Sequence, residues 1–456
     1  MSFKKLGLSD ELLNAIQAKG YSQTTPVQEK AIPFIMQGLD ILAGAQTGTG
    51  KTAAFALPIL NRLQQSESKR RRIRALVLTP TRELASQVGD SFRDYGSNLR
   101  FKTAVIYGGV SIKTQKDKLR NGVDIVVATP GRLLDHLNQK TLDLSEIEVF
   151  VLDEGDRMLD MGFVVDIKKI IRRLPQKRQN LLFSATFPKE IKSLAARLLD
   201  SPKQILMSSQ NSTVEKVKQK IYPVDQARKR ELLIHSIKEE KWFQVLVFIK
   251  TKRAADKLTK ELNKQRIKAN AIHGDKTQAA RTRALKNFKD LEIQVLVATD
   301  VAARGIDINL LPFVINYNLP IVPEDYIHRI GRTARAGEEG TAISLVCAEE
   351  FHLLSEIERL LKFRIPREDI EGFETTKHLN TTNLESKNNQ RKKPYRGNKQ
   401  LRRKLSDNKK APWRKKRKSS KKQENNKNQR KQLSSKKKKP FKKSGFKKRM
   451  PKRRVS

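Results

Sequence analysis

Residues 40–52, DILAGAQTGTGKT, constrain the fold more than any other stretch of this chain. Ile41, Leu42 and Ala43 form a short apolar run, a glycine-rich turn follows, and after Lys51 and Thr52 an apolar helical pattern begins with Ala53, Ala54, Phe55 and Leu57. Strand, glycine loop and helix start make a cradle for a phosphate chain. Backbone N–H groups at the helix N-terminus point at the anion, and the helix dipole favours negative charge there. Gly48 and Gly50 admit a close backbone approach. Lys51 has the reach for β- and γ-phosphates, and the Thr52 hydroxyl is a ligand type for Mg²⁺. The strict form of this pattern has glycine where this chain has Ala45.

A strand feeding such a loop needs neighbours, and the chain supplies them. Apolar, β-branched runs recur at 41–44, 75–79, 103–107, 124–128, 149–152 and 181–183, with helical patterns such as 83–95 and 164–174 between many of them. Strands alternating with helices predict an α/β fold with a parallel sheet covered on both faces. The rhythm restarts at 245–249, 269–272, 294–298, 314–317 and 341–346, after a polar break at 208–217, SSQNSTVEKV, that reads as a linker. The expected organisation is one domain over 1–207, a linker over 208–217 and a second domain over 218–374. Open parallel sheets bind ligands at the carboxyl ends of their strands, so functional residues should follow these runs.

From residue 375 the periodicity disappears into a tail, 375–456, dominated by Lys, Arg, Asn, Gln and Ser. Of the net charge of +47, residues 387–456 carry 33 basic against two acidic side chains, Asp407 and Glu424, which leaves a balance of +16 in the rest. Such a tail buries too little apolar surface to offset its ordering entropy and is expected to be disordered. A moderately basic body with a strongly basic tail points to nucleic acid as partner, with an anionic membrane surface as the weaker alternative. No run of about 18 apolar residues is present to span a bilayer. The N-terminal residues lack the long apolar core of a signal peptide. The single cysteine, Cys347, lies in the apolar run AISLVCA and reads as a small buried hydrophobe in a reducing compartment.

The run 149–152 ends in Asp153, Glu154, Gly155 and Asp156. In isolation these acids read as a solvated turn. After a strand, in a chain with a glycine–lysine loop, Asp153 is placed to hold Mg²⁺ and Glu154 to orient or deprotonate an attacking water.

The spacing of these two motifs, with those that follow, resembles the DEAD-box ATP-dependent RNA helicases over residues 3–370. The run RMLDMGF at 157–163 is most similar to the bacterial RhlE-type subgroup. The resemblance implies two RecA-like domains facing each other across a cleft that ATP and RNA close together. It implies the following roles. Phe3 stacks on adenine and Gln28 reads the adenine edge. The loop AQTGTGKT, with Gln46, Thr47, Gly48, Thr49, Gly50, Lys51 and Thr52, matches the family's own form and accounts for Ala45. Asp307 in RGID contacts the ribose.

PTRELA, the Gly108–Gly109 pair and TPGR resemble segments that grip the RNA backbone, through Arg82, Gly109, Thr129 and Arg132. Such contacts fix position without reading bases. Ser184 and Thr186 of SAT, with Asp156, look like the link between nucleotide state and unwinding. In the second half Thr251, Gln278, Arg281, Thr299 and Asp300 resemble RNA contacts. HRIGRTARAG resembles the arginine-finger motif: Arg332 and Arg335 approach the γ-phosphate and His328 couples to the acids of the first domain. Lys51, Glu154, Arg332 and Arg335 are thus the expected catalytic set, and Thr52 and Asp153 the metal ligands, with ATP and Mg²⁺ as cofactors.

Two positions depart from the commonest pattern. Gly155 stands where the family has alanine, and Ala334 where glycine is usual. Neither removes a catalytic side chain. The resemblance implies a largely sequence-independent RNA partner, a monomeric core and a cytoplasmic location, with ribosomal precursor particles or RNA-decay machinery as clients. A DNA translocase on the same fold and a non-enzymatic RNA chaperone are the competing classes.

Overall fold

The structure is a computed structural model, and it describes residues 1–45, 49–65, 71–206, 217–303, 308, 311–333 and 340–376. In the first half, strands β1 (Ile41–Gly44), β2 (Ala75–Leu78), β3 (Thr103–Ile106), β4 (Ile125–Ala128), β5 (Val149–Leu152), β6 (Gln179–Ser184) and β7 (Lys203–Leu206) form one parallel sheet. Their order is β3-β4-β2-β5-β6-β1-β7. The central strands ALVL, IVVA and VFVL are buried along their whole length, as expected where helices cover both faces. Alternation sorts their side chains between two cores. Ala75, Val77, Val149, Val151 and Phe183 meet the helices Pro26–Met36 and Lys51–Gln65 on one face. Leu76, Leu78, Phe150, Leu152 and Leu182 meet Met158, Ile167, Ile191 and Leu194 on the other.

The second half repeats the design with β8 (Val217–Pro223), β9 (Val245–Phe248), β10 (Ala269–Ile272), β11 (Val295–Ala298), β12 (Phe313–Asn316) and β13 (Gly340–Val346). This parallel sheet runs β10-β11-β9-β12-β13-β8. Two strands escape the periodicity argument. β7, KQIL, buries only Ile205 and lies on an edge, and charged edge residues discourage pairing with another chain. β8, VKQKIYP, carries lysines between its apolar positions. Val217, read from sequence as the last linker residue, opens β8. The outer edge of β8 is covered: Ile221 N–H donates to Pro366 O (2.8 Å), and Ile221 O accepts from Glu368 N–H (2.9 Å). Thr376, assigned by sequence to the tail, still contacts the body, donating to Asp225 from its N–H at 3.3 Å and its hydroxyl at 3.2 Å. The rest of the tail lies outside the described residues, as do linker positions 208–216. Among the described residues no helix is long and apolar enough to cross a membrane.

Candidate functional site

The strand order divides the carboxyl edge of the first sheet into two halves. On one half β1 leads into the glycine loop, β5 into Asp153 and β6 into Ser184, so three distant sequence motifs become neighbours. Lys51 opens the helix Lys51–Gln65 and is 6% exposed. Its Nζ lies 4.0 Å from Asp153 Oδ1 and makes no hydrogen bond within the described residues. A buried ammonium without a hydrogen-bond partner is costly unless an anion completes it. Burial pushes the Asp153 carboxyl up to about 6, with Glu154 adding to the rise and the Lys51 ammonium opposing it.

Gly50 sits at φ +89, and a Cβ there would fall 2.4 Å from Gln28 Nε2. Gln28 donates from Nε2 to Gly50 O (3.1 Å) and accepts at Oε1 from the Thr25 N–H (2.9 Å). It therefore caps its own helix and touches the phosphate loop at once. Phe3 is buried in the apolar core of the first domain. Thr49 and Thr52 are described, while Gln46, Thr47 and Gly48 lie outside the described residues.

Glu154 is 3% exposed and takes a left-handed conformation (φ 54, ψ 53) at the start of the helix Gly155–Asp160. A non-glycine residue held there costs about 1–3 kcal/mol, and such positions cluster at functional sites. Arg157, also buried, brings Nη1 to 3.5 Å from Glu154 Oε2. Asp156 ties this turn to the end of β6. Its Oδ2 accepts from Ala185 N–H (3.1 Å), Thr186 N–H (2.8 Å) and Thr186 Oγ1 (2.9 Å). Ser184 Oγ accepts the Asp156 N–H at 3.1 Å and donates to Thr186 O at 2.8 Å. Asp156, Ser184 and Thr186 thus form one network, with Asp156 and Ser184 buried.

The other half of the edge, β3-β4-β2, carries Arg82, Gly109, Thr129 and Arg132 just past the strand ends. The Arg82 guanidinium lies over Gly109, where a Cβ would come within 1.9 Å of Nη1. Arg132 donates from both terminal nitrogens to Val110 O (3.2 and 3.1 Å), which fixes the glycine turn. Thr129 is buried and precedes the helix Pro130–Asn138. In the second sheet the corresponding half, β10-β11-β9, presents Thr251 after β9 and Thr299 with Asp300 after β11. Thr251 is exposed and its hydroxyl accepts the Ala254 N–H (3.2 Å). Thr299 is buried.

Three residues that the motif reading passed over hold these pieces together. Glu83 accepts from Gln278 Nε2 (2.9 Å) and pairs with Arg281 Nη2 (3.0 Å), joining the two domains through side chains about a tenth exposed. Arg281 is therefore largely buried against Glu83. Arg329 grips both carboxylate oxygens of Asp300 (2.6 and 2.7 Å), Asn316 Oδ1 (2.9 Å) and Asn318 O (2.7 Å), and stacks on Phe248. This fixes the helix Pro323–Ile330, which carries His328 and is followed by Arg332. Arg157 lines a small cavity with His328, Arg332 and Asp300. Burial, and then the Arg157 charge, push His328 down to about 3, against the pull of Asp156 and Glu154. Each missed residue lay inside a quoted motif, but burial and partner choice cannot be read from a single chain. Asp307 and Arg335 lie outside the described residues.

The chain matches the sequence profile "DEAD/DEAH box helicase" over residues 25–194 and "Helicase conserved C-terminal domain" over 228–337. It is 43% identical over 368 residues to the DEAD-box ATP-dependent RNA helicase CshA of Bacillus cereus, covering 81% of this chain and 70% of that one. It is 44% identical over 358 residues to the DEAD-box ATP-dependent RNA helicase RhpA of Helicobacter pylori, covering 78% and 72%. Among solved structures it is similar to S. cerevisiae Dbp5 bound to RNA and ADP BeF3, with a TM-score of 0.73, 31% identity and coverage of 81% and 95%. It is likewise similar to Mss116p bound to ssRNA and AMP-PNP, with a TM-score of 0.74, 30% identity and coverage of 81% and 78%.

Proposed function

The chain belongs to the DEAD-box ATP-dependent RNA helicases, and from that membership we propose which of its residues bind ATP and RNA and how hydrolysis is coupled to strand separation. Lys51 and Thr52, with the backbone of the loop from Gln46 to Gly50, hold the phosphates of ATP. Gln28 reads adenine, Phe3 supports the base, and Asp307 contacts the ribose. The Thr52 hydroxyl and Asp153 carboxylate are hard oxygen donors that fit a Mg²⁺ arriving with the phosphates, where its charge offsets theirs. Glu154 takes the proton of the attacking water as its oxygen bonds to the γ-phosphorus and the bond to ADP breaks. Arg332 and Arg335 stabilise the charge on the transferred group, a contribution of about 10³-fold or more in related chemistry.

Arg82, Gly109, Thr129 and Arg132 with Thr251, Thr299 and Asp300 form the RNA-facing edge. Arg281 supports it from beneath by pairing with Glu83. Asp156, Ser184, Thr186 and His328 relay the state of the nucleotide to that edge. The client is structured RNA, in ribosome assembly or RNA turnover, within the cytoplasm, and the chain stands nearest the RhlE-type subgroup. The basic tail raises the local concentration of RNA near the core.

The observation that supports this reading most is the buried Lys51 ammonium, without a hydrogen-bond partner among the described residues and beside the buried Asp153 carboxylate. Lys51→Ala and Arg335→Ala should each reduce RNA-stimulated phosphate release by at least about 10²-fold. Lys51→Ala should also weaken nucleotide binding, and Arg335→Ala should leave it nearly unchanged. Phosphate release that DNA stimulates as well as RNA, or that needs neither, would overturn the assignment.

A further inference from the structure

Arg157 opens the run RMLDMGF, and the roles assigned above leave it without a task. Arg157 is 3% exposed. Nη1 makes no hydrogen bond among the described residues and faces Glu154 Oε2 at 3.5 Å, too long for a hydrogen bond and close enough for an ionic contact. Its N–H donates to Asp156 Oδ1 (3.0 Å), so its backbone belongs to the network that joins Asp156 to Ser184 and Thr186. Arg157 also lines the cavity shared with Asp300, His328 and Arg332 of the second domain. Arg157 thus faces the proposed base with its side chain, joins the relay network through its backbone, and lines one cavity with His328 and Arg332.

We propose that Arg157 is a positioning residue for Glu154, holding its carboxylate in one rotamer when the second domain docks. The proposal rests on the reading of Glu154 as the base. Glu154 is buried and held in a left-handed turn at the start of the helix Gly155–Asp160. The cation at Oε2 fixes the direction in which the carboxylate accepts a proton. The structure leaves a specific gap: shortening the 3.5 Å contact to about 2.8 Å turns the orphaned N–H into a charge-assisted hydrogen bond. Docking of the helix Pro323–Ile330 shields that contact from water and strengthens it. The Arg157 charge helps to push the His328 pKa down, in keeping with the cavity that the two side chains line together.

The test is a double-mutant cycle in the full chain, with saturating ATP, Mg²⁺ and RNA. Arg157→Met should lower turnover about 30-fold or more while nucleotide affinity stays within about threefold. In a Glu154→Gln background the same change should alter the residual turnover by less than about threefold, because the group it positions is gone. Arg157→Lys should recover about tenfold of the loss, since a single ionic contact does not need the guanidinium fork. If the methionine variant does not fold, Arg157→Gln, which keeps a donor and most of the volume, serves the same cycle. Equal losses in both backgrounds, or a lysine variant as slow as the methionine one, overturn the positioning role. A Glu154→Gln enzyme with wild-type turnover instead overturns the base assignment.

Discussion

A methyl group on Gly155 would lie 3.3 Å from Ile191 Cδ1, 3.6 Å from Leu152 Cδ2 and 3.8 Å from Leu182 Cδ2. Gly155 opens a helix with negative φ, so alanine fits its backbone. The substitution limits the unfolded chain and fills space between three methyl groups, against a shift of a few tenths of an ångström at Ile191. Gly155→Ala should therefore stabilise by about 0.4–1 kcal/mol in thermal unfolding, with turnover within about twofold. A collapse of turnover would mean that displacing Ile191 disturbs the Ser184–Thr186 network one helix away. His328 offers a second residue-scale test. Its folded pKa lies near 3, below its ordinary 6.5, so between those values the unfolded chain binds more protons than the folded one. Stability is therefore fully present above about pH 6.5 and falls as pH drops through that window. His328→Gln removes the titrating group, so the loss of Tm between pH 7.5 and 5.5 should be smaller in the variant than in the wild type. Equal losses would assign the acid sensitivity to other groups.

At the scale of elements, the carboxyl edge of each parallel sheet collects loops that sequence scatters, and a few buried contacts lock the two edges together. The Glu83 contact with Arg281 and Gln278 is the main one among the described residues. Removing one partner of a buried ion pair leaves the other charge uncompensated, at a cost of about 3–5 kcal/mol. Glu83→Ala and Arg281→Ala should each raise the RNA concentration for half-maximal stimulation about tenfold or more, while ATP affinity of the free enzyme stays near wild type. The exchange Glu83→Arg with Arg281→Glu should restore part of the loss. If it restores none, the pair acts through RNA contacts of its own rather than as a brace. Much of this layout was legible in the chain. Eleven apolar runs marked strands, because strands buried on both faces read as unbroken hydrophobic stretches. Motifs following those runs marked the edge. β7 and β8 were not legible, since edge strands expose polar residues on one side. Strand order was not legible either. The split between a β5-β6-β1 half and a β3-β4-β2 half arises from pairing between residues far apart in the chain. For the same reason Glu83, Arg157 and Arg329 looked like ordinary charges beside the motif residues they hold in place.

At the scale of the whole molecule, the question is where the globular body stops and the basic tail begins. The residues after the helix Phe351–Leu361 are part of the second domain. Ile365 is 2% exposed and its N–H donates to Glu358 Oε1 at 3.0 Å. Residues 366–368 cover the edge of β8, and Phe373 packs on His235 with Arg228 over its ring at 4.6 Å. Thr376 contacts Asp225 just past the end of β8. Eighty residues follow Thr376 to position 456. Among them, 33 basic side chains over residues 387–456 can neutralise many phosphates. Truncation after Thr376 should therefore leave Tm unchanged and maximal turnover within about threefold. It should raise the RNA concentration for half-stimulation about tenfold at about 0.1 M salt and flatten the slope of log affinity against log salt. Truncation after Lys362 is a different experiment. It uncovers the β8 edge and the apolar residues under Ile365 and Phe373, so it should lower Tm and promote aggregation even without RNA. A protein cut at 376 with unchanged RNA affinity and salt slope would mean that the core alone holds RNA. A protein cut at 362 that melts like the full chain would mean that the segment lies on the second domain without stabilising it.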